Sequence, residues 1–109
     1  MAIEYLTKDK FEESLNASEL PMIIDFWAGW CGPCQMLGPV FESLSDEYEG
    51  KLRFAKVDVD SERTVAMAFS IASIPTLVLV HEGKEVGRFS GYLPKEALRQ
   101  KLDSMLAEL

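Results

Sequence analysis

The spacing of Cys31 and Cys34, the only cysteines in the chain, most constrains how this sequence can fold. The pair follows an apolar run at 22–28 that is typical of a buried strand, and it opens a helical pattern at 35–48. Residues three apart on a first helical turn share one face, with Cβ atoms about 5–6 Å apart. A disulfide needs Cα atoms about 4.4–6.8 Å apart, which the first turn of a helix supplies, so we expect the pair to open and close with little backbone movement.

The position at a helix N-terminus predicts different roles for the two sulfurs. A thiolate, not a thiol, is the nucleophile, and the free N–H groups and macrodipole of a helix N-terminus favour negative charge. We therefore expect Cys31 to ionise more readily and to attack a disulfide. Cys34, one turn further in, is expected to be more buried and to resolve the product. Pro33 suits the first turn, where its missing N–H costs nothing.

Two other interpretations of the cysteine pair are a structural staple and half of a zinc site. A disulfide across so short a loop constrains the unfolded chain little. Zinc normally needs four ligands, or three and a water, and His81 is the only cysteine or histidine in the chain besides the pair. A lone Cys-x-x-Cys in a chain of alternating strands and helices favours a redox pair. We expect no metal and no cofactor, and the sequence contains no phosphate-binding loop.

Length and charge exclude several other classes of protein. A chain of 109 residues predicts one domain, residues 1–109. The net charge of −7 disfavours non-specific nucleic-acid binding, and no apolar run approaches the ~20 residues of a membrane span. The first five residues, from Met1 to Tyr5, lack the basic start and apolar stretch of a secretory leader. We therefore expect a cytoplasmic protein, and nothing in the sequence demands more than a monomer.

The hydrophobic periodicity predicts the order β-α-β-α-β-α-β-β-α. Early alternation favours parallel strands joined by right-handed crossovers, and the closing hairpin adds an antiparallel edge. We expect Thr7 to cap the first helix, Asp60 or Ser61 to cap the third, and Pro39 to kink the second. The predicted strands are 3–6, 22–28, 51–58, 76–81 and 85–90, and the predicted helices are 8–18, 35–48, 61–69 and 94–109.

Asp25 is an unexpected residue in the apolar run, because aspartate is almost never fully buried without a reason. One interpretation is a solvated position on a half-exposed strand. The other is a buried carboxyl whose pKa is raised by desolvation. Such a group would accept the proton of Cys34, directly or through a water, as that sulfur attacks.

The run 25–34, Asp-Phe-Trp-Ala-Gly-Trp-Cys-Gly-Pro-Cys, resembles the active-site segment of the thioredoxin family. The resemblance implies an α/β thioredoxin fold with a five-stranded mixed β-sheet flanked by four α-helices. It also implies general protein dithiol–disulfide exchange, with electrons arriving from thioredoxin reductase, an NADPH-dependent flavoprotein. Further matches extend over the whole chain, namely Pro39, Lys56, Asp60, Ile74-Pro75-Thr76, Gly83 and Gly91.

The resemblance also implies several site residues. It places Lys56 near Asp25, where the lysine charge would tune the carboxyl, although a surface lysine is an equal alternative. It implies a cis bond before Pro75, which would turn the backbone of Ile74 toward the cysteines to pair with an extended substrate segment. The expected docking patch is flat and weakly apolar and comprises Trp30, Gly32, Pro33, Ile74, Pro75 and Gly91.

Some residues depart from the family pattern, and they bear on partner choice. Gln35 stands where many members have lysine, and Ser73 and Ser90 suggest a more polar rim. The Gly32-Pro33 dipeptide, which lacks a histidine, favours the reducing direction. The alternatives to a general protein-disulfide reductase are a disulfide oxidase or isomerase on the same fold, and a non-enzymatic binding subunit.

Overall fold

The apolar run after Pro21 forms the central strand of the sheet. The computed structural model describes residues 3–109, and in it strand β2 spans Met22–Trp27 with every residue buried except the half-buried Trp27. Its side chains alternate between two layers: Ile23 packs in one hydrophobic cluster, and Ile24 and Phe26 pack in the other. Burial on both faces explains why nearly every position in this strand is apolar.

Within the described residues, five strands form one mixed sheet in the order β1-β3-β2-β4-β5. The central β2 is parallel to β3 and antiparallel to β4, and β4 and β5 form the predicted hairpin. The predicted fold class, a five-stranded mixed sheet with four α-helices, is confirmed. The remaining strands are β1 Glu4–Tyr5, β3 Arg53–Asp58, β4 Thr76–His81 and β5 Lys84–Ser90.

The helices cover both faces of this sheet. On one face the core joins α2 and α4 through Phe41, Leu44, Leu98 and Leu102. On the other, Val65 of α3 is fully buried, and Phe11 of α1 packs against the same cluster. The bounds are α1 Phe11–Leu15, α2 Gly32–Ser45, α3 Arg63–Ala68 and α4 Lys95–Ala107, with a 3₁₀ turn at Asp46–Tyr48 after α2.

Both helix caps predicted from the sequence are wrong. At α1 the N-cap is Lys10, and it is the backbone carbonyl of Thr7 that accepts from the N–H groups of Lys10 and Phe11. Before α3, the side chain of Asp58 accepts from the N–H groups of Asp60 and Ser61 at 2.9 and 3.4 Å. This local bond competes with helix formation, so α3 begins only at Arg63.

Other predicted boundaries also shift. Helix α2 begins at Gly32, three residues earlier than predicted, because Cys31 occupies its N-cap, and Pro39 lies inside it as expected. The predicted last helix, 94–109, is wrong at its end, since α4 stops at Ala107 and Leu109, which follows it, is 49% exposed. Among residues 3–109, no helix has the length and apolar character to cross a membrane. The prediction about a leader partly concerns Met1 and Ala2, which lie outside the described residues.

Candidate active site

The cysteine pair lies where the central strand gives way to helix α2. Cys31 is the N-cap residue of α2 and Cys34 is in its first turn, and the two are joined by a disulfide with Cα atoms 5.2 Å apart. The backbone N–H of Cys34 donates to the sulfur of Cys31 at 3.2 Å. A helix N-terminus therefore directs a donor at that sulfur, which favours its anionic form.

The disulfide form does not separate the cysteines by depth. Cys31 is 5% exposed and Cys34 is 4% exposed, so the expected difference in burial is absent. The bond holds both sulfurs in one small cluster with Ala28, against which Ile74 and Val59 pack. What distinguishes the two sulfurs here is the N–H bond that Cys31 accepts.

Asp25 is buried in the central strand, so the interpretation as a solvated position is wrong. The residue is 1% exposed, and neither carboxylate oxygen has a hydrogen-bond partner within the described part of the chain. Burial raises the pKa of the Asp25 carboxyl to about 7, opposed by the charge of Lys56 and reinforced by that of Glu42. The carboxyl is therefore able to exchange a proton near neutral pH.

Lys56 is directly opposite Asp25 in the register of strands β2 and β3. Its side chain is only 11% exposed and its Nζ lies 3.4 Å from a carboxylate oxygen of Glu42. The same Nζ lies 5.1 Å from the centroid of a Trp27 ring. The alternative of a surface lysine is therefore wrong, and the lysine belongs to the surroundings of the buried carboxyl.

Trp30 is 72% exposed beside the disulfide, and its indole Nε1 donates to Asp60 at 2.9 Å. Asp60 therefore holds this side chain instead of capping a helix. Trp30 also borders a groove of 340 Å³ whose lining includes Val59, Ala66, Ile71, Ala72, Ser73 and Ile74. The far wall of this groove could not be predicted from the sequence, because its apolar residues are scattered over two segments with no motif.

The loop before β4 and the end of β5 complete the site. The Ile74–Pro75 bond is cis, as the resemblance implies, and Ile74 packs against the cysteine cluster. Gly91 has a φ of +100° and its N–H donates to the carbonyl of Pro75 at 2.9 Å. The hydroxyls of Ser90 and Thr76 bond to each other at 2.8 Å, so the polar rim expected from the sequence is partly satisfied internally.

Comparison with known proteins agrees with this geometry. The thioredoxin family model matches residues 2–104. The chain belongs to the thioredoxin family. It is similar to a thioredoxin of Chlorobaculum thiosulfatiphilum, with 44% identity over 97 residues, 89% of this chain and 90% of the relative. A thioredoxin of Staphylococcus haemolyticus is 42% identical over 106 residues, covering 97% of this chain and all of the relative, and one of Porphyra purpurea is 35% identical over 107 residues.

Membership of the thioredoxin family, together with the bonded cysteine pair, shows the activity. The chain is a protein-disulfide reductase, an oxidoreductase that works by dithiol–disulfide exchange, and the structure is its oxidised form. Thioredoxin-family chemistry implies disulfide-bonded substrates and a reductase that returns electrons. Between Ile3 and Leu109, no group of three or more His, Cys, Asp or Glu side chains is arranged to hold a metal ion.

Proposed function

We propose that Cys31 is the attacking sulfur of this reductase. In the reduced protein, the Cys31 thiolate attacks one sulfur of a substrate disulfide, forming a mixed disulfide and releasing the other substrate sulfur as a thiolate. Cys34 then attacks Cys31, which re-forms the Cys31–Cys34 bond and releases the second substrate sulfur. The observation that carries the assignment is the N-cap position of Cys31, with the N–H of Cys34 directed at its sulfur.

Asp25 is proposed as the proton acceptor for the resolving step. Cys34 must lose its proton before it attacks, and a carboxyl whose pKa is about 7 accepts a proton more readily than one at its usual value of 3.8. Burial of the carboxyl without a hydrogen-bond partner among the described residues supports this role. The Lys56 charge keeps the pKa of Asp25 from rising further, which fits Lys56 as a modulating residue.

The substrate segment is proposed to dock on Trp30, Ile74, Pro75 and Gly91. Trp30 provides exposed apolar surface beside the disulfide. Ile74 packs against the cysteine cluster, and its backbone N–H and carbonyl are proposed to pair with an extended segment, as in strand addition. The Gly91 bond to Pro75 fixes the two loops relative to each other. Gly32 and Pro33, both exposed between the cysteines, are proposed to tune the reduction potential of the Cys31–Cys34 couple.

The partners proposed for the chain are disulfide-bonded proteins and thioredoxin reductase, an NADPH-dependent flavoprotein. A reducing role fits the cytoplasm, where thiols are kept reduced. We propose that residues 1–109 act as one monomeric domain, supported by a family match that spans residues 2–104. An oxidase or isomerase would differ in reduction potential: a strongly oxidising potential for the Cys31–Cys34 couple would overturn the reducing assignment.

The test is turnover of a model protein disulfide with a small dithiol as electron donor. The native protein is compared with Cys31→Ser, Cys34→Ser and the double variant. We expect only the native protein to accelerate reduction of the model disulfide. The Cys34→Ser variant should stop at the mixed disulfide with its substrate. Equal activity of the native protein and the double variant would contradict the proposal. If the double variant still supports the function of the protein in the cell, the non-enzymatic binding role would be favoured.

A further inference from the structure

The turn that connects strand β2 to helix α2 carries both Trp30 and Cys31, and its two middle residues, Gly29 and Trp30, are exposed while Ala28 and Cys31 are buried. Residues 28–31 follow the last residue of β2 and precede the first residue of α2. A Cβ atom added to Gly29 would meet nothing within 4 Å, so no neighbouring atom supports this residue on that side. Glycine is also the residue with the greatest backbone freedom. The exposed part of the turn is therefore held by hydrogen bonds rather than by burial.

Gln35 makes three of those hydrogen bonds. Its backbone N–H donates to the carbonyl of Cys31 at 3.1 Å. Its side-chain Nε2 donates to the carbonyl of Ala28 at 3.3 Å and to that of Gly29 at 3.2 Å. An amide NH₂ has two donors, and both have an acceptor on this turn. The Ala28 carbonyl also accepts from the N–H of Cys31 at 3.2 Å, so the side chain closes the turn around the cysteine.

We propose that Gln35 is a positioning residue that holds the 28–31 turn, and through it Cys31 and Trp30, in the conformation that docks a protein disulfide. The inference rests on the assignment of Cys31 as the attacking sulfur. Gln35 does not need to touch the substrate: it acts through the backbone carbonyls of Ala28 and Gly29. Without the side-chain bonds, the turn must be ordered when the substrate docks, and that loss of conformational entropy weakens binding.

Three variants separate the hydrogen bonds from the other properties of the side chain. Gln35→Met keeps the length and neutrality of the side chain and removes both donors. Gln35→Lys keeps a donor on a side chain long enough to reach the carbonyls. Gln100→Met is the matched control, because Gln100 is also an exposed helical glutamine, on α4 away from the site.

Amide hydrogen exchange tests the turn without any catalysis. In the oxidised protein, we expect the Cys31 N–H to exchange about fivefold faster in Gln35→Met, the factor that one lost net hydrogen bond predicts. Gln35→Lys and Gln100→Met should exchange within about twofold of the native protein. The proposal is overturned if the rate in Gln35→Met matches that in Gln100→Met.

Steady-state reduction of a protein disulfide tests the consequence for docking. We expect Gln35→Met to raise KM about fivefold with kcat within about twofold of native, and Gln35→Lys to restore KM. A fall in kcat at unchanged KM, or a KM that Gln35→Lys leaves raised, would overturn the positioning role. These outcomes differ from failure of the proposed mechanism, because that failure would appear as a native protein without turnover, whatever residue stands at position 35.

Discussion

Replacing Asp25 by alanine should stabilise the folded protein, but only where the carboxyl would be ionised. The side chain is 1% exposed, and its burial raises the pKa of the carboxyl from 3.8 to about 7. Between these two values the folded state binds more protons than the unfolded state, so the free energy of unfolding falls as pH rises. Below pH 3.8 the carboxyl is protonated in both states, so its burial carries no penalty in stability. Above pH 7 the penalty for the buried carboxylate is complete.

The size of this penalty follows from the two pKa values of Asp25. They differ by about 3, and each pH unit is worth about 1.4 kcal/mol, so the native protein loses roughly 4 kcal/mol. Alanine removes the penalty and leaves a small cavity that offsets part of the gain. We therefore expect Asp25→Ala to exceed native stability by about 2–4 kcal/mol near pH 8, and to lie within about 1 kcal/mol of it near pH 4.

Urea unfolding of the oxidised proteins, followed by circular dichroism across this pH range, measures the difference. Asp9→Ala is the control, because Asp9 is an exposed aspartate in the connection before α1, and its removal should produce no comparable gain at high pH. A difference in stability between Asp25→Ala and the native protein that is independent of pH would contradict a destabilising buried carboxylate. A variant that is less stable than the native protein near pH 8 would contradict it as well.

Three further substitutions test the surroundings of the site and the sheet edge. Lys56→Met removes the charge that lowers the pKa of Asp25, so that pKa should rise further in an NMR titration; an unchanged value would contradict the assigned cause. Glu4→Gln weakens the two-bond ion pair with Arg53, at 2.7 and 2.8 Å, and should cost about 1–2 kcal/mol in urea unfolding at neutral pH. Gly91→Ala should cost about 1–2 kcal/mol because its φ of +100° suits glycine; native-like stability would contradict this.

The central part of the fold could be predicted from the sequence, because its signals are local and strong. The continuous apolar run gave β2 to within one residue, and β4 was predicted with its observed bounds, Thr76–His81. The short helices were less predictable. Helix α1 covers only Phe11–Leu15, far less than the predicted 8–18, because helices this short depend on tertiary packing and their ends on local competing bonds.

In the site, too, local features could be predicted and long-range contacts could not. Burial of Asp25 was predictable from its apolar neighbours in the sequence. The hydrogen bond from Gln35 to the Ala28 carbonyl and the bond from Trp30 to Asp60 could not be predicted, because each depends on where a side chain points after folding. Asp60 lies 30 positions from Trp30. Because aspartate is a favoured N-cap residue, its place before α3 predicted a helix cap instead. The partner of Lys56, Glu42, was missed for the same reason.

The identity of the attacking sulfur is tested most directly by trapping the mixed disulfide. A protein disulfide is mixed with reduced Cys34→Ser or reduced Cys31→Ser, and the covalent products are mapped by mass spectrometry after digestion. We expect Cys34→Ser to accumulate an adduct through Cys31, and Cys31→Ser to form an adduct far more slowly. Rapid formation of an adduct through Cys34 in Cys31→Ser, with none in Cys34→Ser, would contradict this expectation.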